Sequence, residues 1–208
     1  MEFNMFNLSK NVVLEALRCC RDVYPHEQDF LVSRAIDGFT ILAVEGTNET
    51  TDWVTNLKFM IKRDDCHRGF KNNANRTLAQ LVIGYEALDP SRTLVLAGHS
   101  LGGATATLIA DLLWESGNRN IALVTAGSPR PGGRRLRKRL KNLEHMRFVH
   151  GDDIVPGTPP WLAGYVHTHP AIQLKDESDT RFDGVADHNI GDYVTAAEKH
   201  FADKKVTL

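Results

Sequence analysis

The chain has 208 residues, of which 42% are hydrophobic and 25% charged. These values suit one globular domain over residues 1–208 and exclude a fibrous or low-complexity chain. No apolar run approaches a membrane span. The net charge of −1 hides an asymmetry: residues 130–141 hold seven basic side chains and no acid, leaving 18 basic against 26 acidic elsewhere.

In chain order, the opening Met1-Glu2-Phe3 carries an acid and no basic n-region, so it does not read as a signal peptide. A cytoplasmic location is expected, with a secreted mature form left open. Residues 9–23 have helical spacing, with Val12, Val13, Ala16, Leu17 and Cys20 on one side and Ser9 as cap. Cys19, Cys20 and Cys66 form no zinc or C-x-x-C pattern and read as reduced thiols. Two strands flank Asp37-Gly38, a hairpin signal. A short helix is expected over 51–59 and an amphipathic helix over 78–88, the latter closed by Asp89-Pro90. A strand over 93–97, a helix to about Glu115 and a strand from Ile121 follow. Next come a basic helix on Leu136, Leu140 and Leu143, and a strand over 146–150. A late strand pair at 165–166 and 171–174 and a final helix on Ile190, Tyr193, Val194, Ala197 and Phe201 complete the chain. Alternation of strands and helices predicts an α/β class with a mixed, mostly parallel central sheet flanked by helices.

The most informative local pattern is Gly98-His99-Ser100-Leu101-Gly102, set between the apolar run 94–97 and a small-residue helical run. Strand, sharp turn and helix are the context in which G-x-S-x-G presents a serine hydroxyl as a nucleophile. The plain alternative is a glycine-rich turn with an incidental serine. A nucleophilic serine needs a base, and the base needs a carboxylate to orient it. Asp152 and Asp153 follow the strand over 146–150, at the expected sheet edge. His167, His169, His188 and His200 lie beyond. His188 stands in a loop just before the last helix, where an imidazole can reach Ser100, and is the expected base; His169 is next. An oxyanion hole needs two N–H donors. Leu101, at a helix N-terminus, supplies one, and the turn at Gly46-Thr47 is the candidate for the second.

Together these residues resemble the fungal-type class 3 lipases of the α/β-hydrolase fold. Residues 98–104 are similar to that family's elbow and 125–132 to its stretch after the next strand. Residues 147–150 with Asp153-Ile154-Val155-Pro156 and Pro159-Pro160 resemble its acid loop, which points to Asp153 over Asp152. The resemblance implies Thr47 as an oxyanion donor, Trp53 and Leu57 within a lid segment, and residues 66–70 in a Val-His-x-Gly-Phe motif with Cys66 in the valine place. It implies an acyl-ester hydrolase with Ser100, His188 and Asp153 as catalytic residues. A phospholipase A1 and an inactive hydrolase fold used for binding are the alternatives. The family's secreted members carry signal sequences and disulfides, which this chain does not show. Nine residues separate Leu57 from His67, so any lid is short.

The basic helix carries Arg134, Arg135, Arg137, Lys138, Arg139 and Lys141. A solvated helix face explains it, and weak contact with an anionic membrane surface is the functional reading. Nucleic-acid binding is not expected, because no aromatic residues interleave the basic run. No metal-ligand cluster, phosphate loop or dinucleotide fingerprint is present, so no cofactor is expected.

Overall fold

The computed structural model describes residues 8–24, 31–46, 66, 71–72, 74–75, 91–175, 184 and 186–203. The helices expected over 51–59 and 78–88 and the motif at 67–70 lie outside the described residues.

Helix α1 spans Lys10–Asp22. Ser9 caps it: the backbone is extended there, and Ser9 Oγ accepts from the Val12 N–H at 3.4 Å. Val12, Val13, Ala16, Leu17 and Cys20 are fully buried, as the spacing predicts. Strands β1 (Leu31–Ile36) and β2 (Phe39–Val44) form a hairpin with Ile36 opposite Phe39. Its turn residues, Asp37 and Gly38, both have positive φ, 47° and 79°. That is the type I′ geometry whose twist matches paired strands.

Strand β3 (Thr93–His99) leads into α2 (Leu101–Glu115), then β4 (Ile121–Ala126), α3 (Arg134–Arg139) and β5 (Glu144–His150). Strand β6 (Ile172–Leu174) and helix α4 (Ile190–Asp203) complete the order. The six strands among the described residues lie in chain order, with β1 antiparallel to β2 and every later pairing parallel. Alternate residues of each inner strand serve opposite layers. Val95, Ala97, Ala122, Val124 and Phe148 pack with α1 and α4. Leu94, Leu96, Ile121 and Leu123 pack with α2 and α3. Both faces are covered, which is why β3 and β4 read as unbroken apolar runs and not as alternating ones.

One expectation is corrected. Residues 165–166 and 171–174 are not paired with each other. Val166 forms an isolated bridge to Gly132, while β6 joins the sheet beside β5 with Phe148 opposite Ile172. Between them Pro170 offers no N–H for a ladder, and the His169 carbonyl is taken by Arg147 Nε at 3.1 Å. All three cysteines are buried and none is in a disulfide. No helix among the described residues is long and apolar enough to cross a membrane.

Candidate active site

Because β3, β4 and β5 run parallel, their carboxyl ends lie on one edge of the sheet, and Ser100, Gly127 and Asp153 follow those ends. Ser100 alone separates β3 from α2. It adopts φ 57° and ψ −132°, a region L-residues avoid, at a typical cost of about 1–3 kcal/mol. Ser100 N–H donates to the Ala126 carbonyl at 3.0 Å, and the Ser100 carbonyl accepts from Gly103 N–H at 3.0 Å. The glycines are needed for space. A Cβ on Gly98 would lie 2.3 Å from the Gly102 backbone, one on Gly102 2.3 Å from the Val44 carbonyl oxygen, and one on Gly103 2.7 Å from Ser128 Cβ. The elbow therefore lets α2 lie directly on β2 and β3.

His188 ends a single 3-10 turn, Ala186–His188, just before α4. Asn189 fixes the start of that helix, its Oδ1 accepting from Gly191 N–H at 2.7 Å. Asp187 ties this turn to the loop after β5: its Oδ2 accepts from Asp152 N–H at 2.6 Å. Gly151, at φ 44°, makes room for that carboxylate, since a Cβ there would sit 2.3 Å from Asp187 Oδ2.

These supports bring three side chains together. Ser100 Oγ lies 2.8 Å from His188 Nε2, and His188 Nδ1 lies 2.7 Å from Asp153 Oδ2. A carboxylate only accepts, so Nδ1–H donates to Asp153 and Nε2 is left to accept from the serine hydroxyl. Asp153 is held on its other side, where Oδ1 accepts from Val155 N–H at 2.9 Å. Asp153 is buried, whereas the Asp152 side chain is exposed. The other histidines are engaged elsewhere. His167 Nε2 donates to the Pro156 carbonyl at 2.8 Å, His169 packs edge-on against His145, and His200 packs against Phe201.

Two neighbours were not singled out from sequence. Tyr193, read only as a core residue of the last helix, donates its hydroxyl to Asp153 Oδ2 at 2.6 Å. Burial and the adjacent Asp153 charge push its phenol well above the usual range, so it remains a donor. His99 lies 4.5 Å from His188, ring centre to ring centre, and shares a 2.7 Å hydrogen bond with the Tyr24 hydroxyl. Burial, and then the His188 charge, hold His99 well below the ordinary histidine range. The base thus stacks on a neutral ring that does not repel an imidazolium. A buried tyrosine hydroxyl needs a partner, and that was the available signal for Tyr193.

Leu101 heads α2, so its N–H belongs to the positive end of that helix. Thr47, Trp53 and Leu57 lie outside the described residues. In the basic stretch, Leu136 and Leu140 are fully buried and Arg134, Arg135, Arg137, Lys138 and Lys141 are exposed. Arg139 differs: its Nε and Nη2 bind both oxygens of buried Asp111 on α2, at 2.7 and 2.6 Å. It fastens α3 to α2 and does not belong to the solvated group.

Comparison with known proteins gives a consistent picture. The model of the class 3 lipase family matches residues 41–163. The chain is 34% identical over 145 residues to secreted mono- and diacylglycerol lipase 1 of Fusarium solani, covering 64% of this chain and 43% of that protein. It is 29% identical over 171 residues to a lipase of Rhizomucor miehei, covering 74% and 47%. The structure superposes on the lipase of Rhizopus microsporus var. chinensis with a TM-score of 0.67 at 22% identity, over 87% of this chain and 84% of that one. The fold is that of the α/β-hydrolases. The chain spans a little under half the length of these two curated relatives.

Proposed function

This chain belongs to the class 3 lipase family, and from that premise we propose that it is a carboxylic ester hydrolase acting on acyl esters. The observation that carries the proposal is the buried hydrogen-bonded chain from Ser100 Oγ through His188 to Asp153 Oδ2. In this reading Ser100 Oγ attacks the ester carbonyl while its proton passes to His188 Nε2. Asp153 orients the ring and stabilises its charged form. The tetrahedral oxyanion is met by the N–H groups of Leu101 and Thr47. On collapse the C–O bond to the alcohol breaks, and His188 returns the proton to the departing alkoxide oxygen. A water then gives its proton to His188 and attacks the acyl-enzyme. The acid leaves and the serine is reprotonated.

Acylglycerols are the substrate class we favour, in line with the name of the Fusarium relative. Trp53 and Leu57 are assigned to a short cover over the acyl site. Glu49, Asp52, Lys58 and Lys62 interrupt its apolar face, so its opening is weakly coupled to an oil surface. Arg134, Arg135, Arg137, Lys138 and Lys141 add a weak attraction to anionic lipid. We favour an intracellular setting, with a secreted mature form left open; three buried, unbridged thiols support it, in contrast to the relative named as secreted.

The test is hydrolysis of p-nitrophenyl esters from acetate to palmitate, with a phospholipid alongside. Esters should be cleaved with a hyperbolic rate curve through the solubility limit, and Ser100→Ala should lower turnover by about 10³-fold or more. Undiminished turnover in Ser100→Ala would overturn the reading. A steep rise only above the solubility limit would overturn the weakly coupled cover.

A further inference from the structure

The exposed large hydrophobic side chains among the described residues fall in one short stretch. Ile154 is 41% exposed, Trp161 67% and Leu162 80%. All three follow Asp153, whose carboxylate closes the hydrogen-bonded chain to His188 and Ser100, within nine residues.

The turn that carries them is held from both sides. Trp161–Ala163 form one 3-10 turn, in which Ala163 N–H donates to the Pro160 carbonyl at 3.0 Å. Gly164, at φ 83°, closes it, its N–H donating to the Trp161 carbonyl at 2.8 Å. The roots are bound to the segment before α3. Arg130 N–H donates to the Thr158 carbonyl at 2.7 Å, and Val166 N–H to the Gly132 carbonyl at 2.8 Å. The Arg130 guanidinium donates to the Pro159 carbonyl at 2.7 Å and also to that of Gly157. Tyr165, next to the tip, is fully buried and anchors it. An indole and a leucine are thus held outward on a braced turn, so little backbone freedom is lost if they enter another phase.

The charge beside the turn selects the phase. The segment pinning it runs through Gly133 into α3, whose first residues, Arg134 and Arg135, are both exposed. An aromatic and an aliphatic tip on a turn tied through Gly132 to the start of a helix with two exposed arginines has the composition of an interfacial anchor on anionic lipid. A second copy fits poorly. Three side chains fall far short of the roughly 1,000 Å² of buried area that a specific interface needs. A two-fold contact through this patch would also bring its own arginines together.

We propose that Trp161 and Leu162 form a fixed anchor that inserts into the surface of an anionic bilayer and sets the Ser100 edge against it. The inference rests on the ester-hydrolase reading for its purpose. Its test does not, because binding is read apart from turnover.

The experiment is co-sedimentation of the full chain with phosphatidylcholine vesicles, with and without phosphatidylglycerol. The proteins are wild type, Trp161→Ala/Leu162→Ala and Arg134→Ala/Arg135→Ala. The wild type should bind the phosphatidylglycerol vesicles. The Trp161→Ala/Leu162→Ala variant should lose about tenfold or more of that partitioning. It should keep its melting temperature and its rate on dissolved p-nitrophenyl acetate. The arginine variant should lose the preference for phosphatidylglycerol. Fluorescence quenching by brominated lipid, read in a Trp53→Phe/Trp114→Phe background so that Trp161 is the sole emitting indole, should be present. Equal vesicle binding by wild type and Trp161→Ala/Leu162→Ala overturns the anchor. So does a wild-type dimer that this variant dissolves while neither protein binds vesicles. Vesicle binding by a chain that cleaves no ester would leave the anchor standing and defeat the hydrolase reading.

Discussion

Asp153 Oδ2 takes two donors at once, the His188 imidazole and the Tyr193 hydroxyl. Tyr193→Phe removes one donor and leaves the ring packed. It should lower kcat on a dissolved ester about tenfold with KM little changed, since a lost hydrogen bond to a charged group matters most where charge develops. A change confined to KM, or none, would assign Tyr193 to packing alone. Asp153→Asn should cost about 10³–10⁴-fold, whereas Asp152→Asn, with its exposed side chain, should be tolerated. A crippled Asp152→Asn beside an active Asp153→Asn would reverse the assignment. At this scale the legible residues were those with a local signature. Ser100 had its flanking glycines, the Asp152-Asp153 pair its place after a strand, with the family resemblance pointing to Asp153, and His188 its place before a helix. Tyr193 had only its place on the apolar face of the last helix, and His99 had none. Their partners are set by where α4 and α1 come to rest on the sheet, and no spacing along the chain encodes that.

Among the elements, the join between β3 and α2 is the most demanding of sequence. A Cβ at Gly102 would press on Val44 and Glu45 backbone, whereas one at Gly157 would meet nothing within 4 Å. Gly102→Ala should therefore destabilise the fold by about 1–3 kcal/mol and misplace the Ser100 turn. Gly157→Ala should stay within about 0.5 kcal/mol. Denaturant midpoints compare the two, and equal midpoints would contradict the close approach of α2 to β2. The hairpin at Asp37-Gly38, the parallel strands and the terminal helices were readable because turn residues and apolar period act locally. The strand pair proposed near residues 165–174 failed for a physical reason. β-Rich composition says a segment is extended, but it does not choose the partner. Here Gly132 took one half and β5 the other.

The whole molecule carries several histidines that burial keeps neutral. His167 is pushed down to about 3, mainly by burial with the Arg147 charge adding to it, and His99 and His145 are also well below their ordinary range. In the unfolded chain each titrates near about 6.5. Below that pH the unfolded state binds protons that the folded state refuses. Stability is therefore full above about pH 6.5 and falls as pH drops toward about 3, by up to about 1.4 kcal/mol per pH unit for each histidine. The urea midpoint should decline between about pH 6.5 and about pH 5. His167→Gln, which keeps an N–H for the Pro156 carbonyl, should make that decline shallower. A midpoint flat across this range would refute the burial argument. The α/β architecture at this scale was legible from the alternation of elements, while the burial of these histidines was not, because it depends on groups distant in the chain: His99 lies against His188, His145 against Thr168, and His167 against the Pro156 carbonyl. The central claim is that the Ser100 edge is chemically competent, and a fluorophosphonate probe followed by peptide mass spectrometry tests it most directly. The account predicts a single adduct on Ser100, none in Ser100→Ala, and labelling slowed about 10³-fold in His188→Ala. An adduct on another residue, or Ser100→Ala labelled as readily as the wild type, would contradict it.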